Sequence, residues 1–418
     1  MDLGRDMYRK IILIIVMYGN IWAYDSIDEA LENGVSSGDI TFYGSYTNGI
    51  DSINKAKNDL NESGYMVGSV GLAYHSAFWK YLRVAVSFRA VGILYEQDKD
   101  SQWSNNALLN NPGRYGNGDA SRDFYMNDRT MLGQSYIEYF DGNTSIKVGR
   151  VFADSEWADR LIDGVSVRNR SLPNALIEAL WVKNNGYVQY NKMTGFYNVN
   201  PHSSLGLTQA SFKYYIGEKF DVKFYGIANP SIFYAAGVKA SARYESSQSY
   251  IGLSGHFATS FEQTYGRLNG ENGNGYNTDI KVYVGVKDMA EASGGFISSG
   301  ANVGWGSLNT LGNNISPFFM WGGRALLEGV DASLWYGKVM FAIDRVSFAV
   351  VYGSTKFRSV SVDNLQNPYD RVNEVNLLVD FGFTEHLSAL LNILNTHGGA
   401  QRYYPHTTNV NLGMKLAF

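Results

Sequence analysis

Cysteine is absent from this chain of 418 residues, while proline occurs 7 times and histidine 6 times. The lack of cysteine excludes a disulfide scaffold, thiolate metal sites and a cysteine nucleophile. His75, His202, His256, His386, His397 and His406 form no H-E-x-x-H pair or other helical metal spacing. The one G-x-S-x-G string, Gly34–Gly38, follows the expected short helix rather than a strand, so it is no nucleophile elbow, and no P-loop is present. After residue 23 no run of about 18 apolar residues occurs, so no transmembrane helix is expected. The net charge is only −4, which leaves no electrostatic footprint for nucleic acid. No cofactor, metal or catalytic residue is expected.

What is abundant points elsewhere. The chain holds 30 Tyr, 22 Phe and 45 Gly. Tyr and Phe favour strands and collect at membrane interfaces, and Gly serves tight turns. At the start, Arg5, Arg9 and Lys10 precede the apolar run Ile11–Met17, and Ala23 follows. A basic region, a short apolar region and a small residue at a cleavage point predict a secretory signal peptide over residues 1–23. Residues 24–38 are expected as a periplasmic segment, with a short capped helix at 26–34 ending at Gly34. Residues 39–418 are expected to form a membrane barrel.

That expectation rests on a period of two. In the last nine residues, Val410, Leu412, Met414, Leu416 and Phe418 alternate with Asn411, Gly413, Lys415 and Ala417. One apolar and one wet face over nine residues suits a tilted transmembrane strand. A terminal Phe418 resembles the assembly signal of outer-membrane barrels. The same alternation recurs near 79–93, 278–288, 331–344 and 371–383. Thirteen further segments bring the expected count to 18 strands, the faintest of them near 293–304. Short links near residues 76–78, 141–142, 217–218, 246–247, 344–345 and 384–385 alternate with long polar links near 50–63, 94–130, 185–205, 261–277, 305–330, 356–370 and 396–407. Short periplasmic turns opposite long extracellular loops describe an all-β, antiparallel outer-membrane barrel.

Parity then assigns the lumen. Arg83, Arg89, Lys147, Arg168, Arg170 and Arg243 fall on the wet face, with further lysines such as Lys223 and Lys239. The inward acids are fewer. Four carboxylates, Asp154, Glu156, Asp159 and Asp163, cluster after the fifth strand, where porins fold a third loop inward. An acidic loop facing a basic wall sets a transverse field that orients passing solutes. The expected pairing is with Arg83, Arg89, Arg168 and Arg170.

The segments Ile146–Arg150, the acidic stretch and Asp163–Asn174 together resemble the Opr family of porins, which includes OprD-like and related major outer-membrane channels. The likeness extends to the leader helix, the strand count and Phe418, and so covers nearly the whole mature chain. It implies an inward third loop, a ladder of lumen arginines and passive diffusion of ions and small hydrophilic solutes. The partners it implies are outer-membrane lipid, the barrel-assembly machinery and, as in some members, two further copies in a homotrimer. Here the ladder is sparse in arginine and rich in lysine, which argues against a specialised substrate. Two other readings stay open: an outer-membrane barrel enzyme of lipase or protease type, and a soluble secreted glycan-binding β-protein. Retention in the membrane pellet after carbonate washing, with heat-modifiable migration, separates the barrel from the last of these.

Overall fold

The structure, a computed structural model, describes residues 23–50, 62–96, 130–265, 274–300, 310–312, 314–318, 323, 325–326, 330–358, 369–398 and 406–418. Of the signal-peptide residues only Ala23 is among them. A short helix, α1 (Ile27–Glu32), begins at Ser26, whose side chain accepts from the Glu29 amide, as the capping pattern requires.

The strands are β1 (Val35–Ile50), β2 (Glu62–His75), β3 (Leu82–Glu96), β4 (Thr130–Phe140), β5 (Thr144–Ser155), β6 (Ala158–Asn169) and β7 (Ala175–Gly186). Three two-residue strands follow, β8 (Val188–Gln189), β9 (Lys192–Met193) and β10 (Tyr197–Asn198). The rest are β11 (Leu207–Ile216), β12 (Phe220–Asn229), β13 (Phe233–Glu245), β14 (Ser249–Glu262), β15 (Tyr276–Val286), β16 (Ala290–Ser299), β17 (Val330–Ile343), β18 (Val346–Arg358), β19 (Asp370–Gly382), β20 (Leu387–His397) and β21 (His406–Ala417).

Setting aside β8 to β10, 18 antiparallel strands follow one another and close into a barrel. The seam joins β1 to β21, from Asp39 opposite Ala417 to Ile50 opposite His406. Phe418 completes it, because its amide donates to the Gly38 carbonyl at 2.9 Å and its carbonyl accepts from the Gly38 amide at 2.7 Å. Closure leaves no unpaired edge, the condition for a sheet to sit in hydrocarbon.

The outer face is apolar and uncovered. Phe88, Ile137, Phe224, Ile251, Val282, Trp335 and Leu412 all lie exposed on it. Each would be worth about 1.5–3 kcal/mol if buried away from water, so a barrel with this surface belongs in a membrane. No helix among the described residues is long and apolar enough to cross one; the strands do so instead.

Links at one end are short throughout. At the other end most are long, but β5–β6 and β12–β13 turn through only residues 156–157 and 230–232. The acidic segment is therefore no loop, contrary to expectation. It is the end of a long hairpin, β5 and β6 being paired from Thr144–Asn169 to Ser155–Ala158. Polar residues at its tip hide the strand because neither face there meets lipid, and apolar alternation is lost.

Candidate functional site

The hairpin leaves the wall at a pair of glycines. β4 pairs with β5 only as far as Ser135–Arg150, and Gly149 stands directly opposite Gly164. Gly149 has φ +131°, and a Cβ there would strike the Ser135 carbonyl oxygen; one on Gly164 would strike that of Trp181. Backbone this close to backbone admits only glycine. Beyond this point the hairpin tip stands on the inner side of the barrel. Trp157, Ala158 and Ile162 are buried in a cluster with Tyr225, Ile227, Phe233 and Ala258, which lie on the inner faces of β12, β13 and β14.

Polar contacts fix the tip to that wall. Glu156 accepts from Lys223 of β12 at 2.9 Å and stands 3.6 Å from Lys239 of β13. Trp157 Nε1 donates to the Tyr225 hydroxyl at 2.8 Å, and that hydroxyl lies 2.7 Å from His256 Nε2. An indole N–H can only donate, so the Tyr225 hydroxyl accepts from Trp157 while also pairing with His256 Nε2. Nδ1 is buried without a partner.

A second insert meets the tip from the long connection between β16 and β17. Leu311 bridges Ala158. The Asn314 amide donates to the Glu156 carbonyl at 3.1 Å. Asn314 Nδ2 reaches the carbonyls of Ser155 at 2.5 Å and Ala158 at 2.9 Å, and Asp154 Oδ1 at 3.2 Å. The small hairpin of β8 and β9 is a third insert, its Met193 buried with Tyr43, Tyr65, Val67 and Val91 of the facing strands. The sequence cue for the second insert was apolar residues in a nominally polar link: Ile315 and Phe318 pack against the inner wall.

The other expected site residues are placed as follows. Asp159 accepts from the Tyr187 hydroxyl at 3.1 Å and lies 3.4 Å from Arg160. Asp163 is forked by Arg150, at 2.6 and 3.1 Å. Arg83 and Arg89 are held by acids of the wall rather than of the tip: Arg83 by Glu138 at 2.6 Å, Arg89 by Asp39 at 2.6 Å. Lys147 lies 3.9 Å from Glu138. Arg168 stands 3.5 Å from Glu178, which is also 3.9 Å from Lys223. Arg170 is exposed beyond the end of β6, in the short turn. Arg243 pairs with Glu245 at 2.6 Å and covers the Tyr250 ring. Lysines of β12 and β13 thus take the place expected for arginines of β3 and β6. The reason is local: each arginine of β3 has an inward acid within reach, Glu138 on the adjacent β4 and Asp39 on β1, one strand further on across β2. Parity alone could not pair them.

Among the described residues no cluster of three or more metal-ligating side chains exists. A cavity of about 370 Å³ opens beside the tip, lined by Arg160, Asn185, Asn198, His202, Tyr265 and Thr310.

A closed membrane barrel with inserts from its own connections on the inner side is a fold that solved porins share. Its 18-stranded form is that of the OprD-type porins. Pseudomonas aeruginosa OpdK, in a structure with vanillate, matches with TM-score 0.68 and 12% identity, over 92% of this chain and 98% of that one. P. aeruginosa OccK9 (OpdG) matches with TM-score 0.69 and 10% identity, over 93% and 99%. Acinetobacter baumannii OccAB3 matches with TM-score 0.68 and 9% identity, over 92% and 99%. No family model and no curated protein matches the sequence.

Proposed function

We propose that this chain is an outer-membrane porin, through which ions and small hydrophilic solutes diffuse passively, and that the β5–β6 tip sets its narrowest point. One observation carries the reading: Glu156, on an insert, is held between two inward lysines of the wall. The tip brings carboxylates to a basic surface, so the lumen there carries a transverse field. The lysines of β11, β12, β13 and β15, with Tyr225, Tyr250 and Tyr283 beside them, suit solutes bearing a carboxylate. OpdK with vanillate, an aromatic carboxylate, supports that choice. In this reading residues 1–23 direct export, the outer belt meets lipid, and Phe418 is read by the assembly machinery.

The test is ion selectivity in planar bilayers. Glu156→Gln removes one negative charge and releases Lys223 and Lys239, so the reversal potential should move toward anions. The double change of Lys223 and Lys239 to Met should move it toward cations. Low salt should enlarge both shifts, because screening falls as the Debye length grows beyond about 10 Å at 0.1 M. Unchanged selectivity in both would place the constriction elsewhere, and absence of any conductance in the wild type would refute the porin reading.

A further inference from the structure

On the outer face, at the long-loop end of β18 and β19, cations gather with too few acids. Lys356 and Arg371 are direct cross-strand partners, and both are exposed. They share the lipid-side face. In β18, Val351, Thr355 and Phe357 are buried inward while Tyr352 is exposed; in β19, Val372 and Glu374 are buried while Val375 is exposed. Arg358 follows on the same face of β18. Its one ion pair among the described residues is to Asp331 at 3.3 Å, and its Nε is buried without a hydrogen-bond partner. The Tyr369 ring floors the group, with Lys356 Nζ at 4.0 Å and Arg358 at 5.4 Å from its centroid. Neither Lys356 nor Arg371 has an ion pair among the described residues.

Like charges directly opposite on a sheet destabilise it, and a cation at mid-bilayer on the lipid face costs about 2–4 kcal/mol. Height resolves the second problem. From Val346, beside the short turn, Lys356 is about ten residues on, or about 34 Å along a strand. A tilt of about 35–45° reduces this to about 24–28 Å, matching an apolar band about 25 Å tall. Lys356 and Arg371 therefore stand at the upper edge of the band, at headgroup level. The first problem is solved by an anion that the protein does not itself supply. Guanidinium forks match phosphate oxygens two at a time.

We propose that Lys356, Arg358 and Arg371 bind the phosphate groups of an outer-leaflet lipid. The proposal rests on the reading of the outer face as a membrane belt. A lipid is the source, rather than free phosphate, because the site opens sideways from the barrel where headgroups lie.

The full chain in detergent is titrated with a bisphosphorylated glycolipid and with its dephosphorylated form, bound lipid being read by native mass spectrometry. The wild type should retain the phosphorylated form. The Lys356→Ser/Arg371→Ser double variant should bind it about 30-fold more weakly, given roughly fivefold per surface Lys or Arg at an anionic membrane. The swap Lys356→Arg/Arg371→Lys, which keeps both charges, should stay within a few-fold of wild type and serves as the folding control. Equal binding by wild type and the Ser variant, or of the two lipids, would overturn the proposal. So would complete displacement by millimolar inorganic phosphate, which would reveal a free-phosphate site. Conductance is recorded on the same preparations. The Ser variant should conduct as wild type does, since its substitutions face away from the lumen. A wild type that binds lipid but does not conduct would sink the porin reading alone.

Discussion

Gly149 and Gly164 decide where the hairpin departs from the wall, and they do so by what they lack. A side chain at either position meets a carbonyl oxygen of the neighbouring strand, Ser135 or Trp181. Gly149 also holds a positive φ, which for a residue with a Cβ costs on the order of 1–3 kcal/mol. Gly149→Ala and Gly164→Ala should each lower the temperature at which the heat-modifiable band shifts on a gel. They should also alter conductance, because the tip would be re-aimed. Wild-type behaviour in both assays would mean that the bend is set elsewhere. Neither glycine was distinguishable in the sequence from the other 43 of the chain's 45, since their role depends on a facing strand that only pairing reveals.

As an element, the β5–β6 hairpin is held by one apolar plug and two sets of hydrogen bonds. Trp157→Phe keeps most of the plug and removes the donor to Tyr225; Asn314→Ala removes an amide whose two hydrogens serve three acceptors. Lost hydrogen bonds of this kind cost about 0.5–1.5 kcal/mol each. Both variants should fold, and both should show noisier single-channel current than wild type, with Asn314→Ala the noisier. Quiet traces from both would mean that the tip does not border the path of the ions. Elements were unevenly legible. β20 and β21 could be placed from apolar alternation because one face meets lipid along their whole length. β16, expected near 293–304, runs from Ala290 to Ser299; its alanines, serines and glycines blur the period. The hairpin tip lacks a legible strand pattern, and Leu311, Ile315 and Phe318, apolar in a polar link, give no sign of the wall they meet, for a common reason. They pack against protein inside the barrel, and an inner surface imposes no period of two on them.

For the whole molecule the consequence of closure is that each strand has one wet and one greasy face, and substitutions should obey that parity. Val282, exposed on the outer face of β15, should tolerate arginine poorly, at a cost of about 2–4 kcal/mol near mid-bilayer. Its neighbour Lys281 faces inward, 3.8 Å from Glu291, and its change to Ser should cost little. Unfolding of the refolded protein in urea compares the two, and equal losses would contradict the faces assigned here. The order and number of the strands were readable because lipid and lumen impose opposite demands on alternate residues. Ion pairing in the lumen was not, because register between strands decides it: Arg83 meets Glu138 only because β3 and β4 align them.

The contact of Asn314 with Ser155 and Ala158 also has a bearing on time. It joins positions 159 and 156 residues apart in the chain, and the seam joins Gly38 to Phe418, the last residue. The first needs the chain as far as residue 314, and the second needs it as far as Phe418. A barrel caught part-way through insertion therefore has an open flank, although its tip is already tied to β12 and β13 through Glu156 and Trp157. The wall is complete only when β21 docks on β1, so the first strand of the barrel must wait for its second partner.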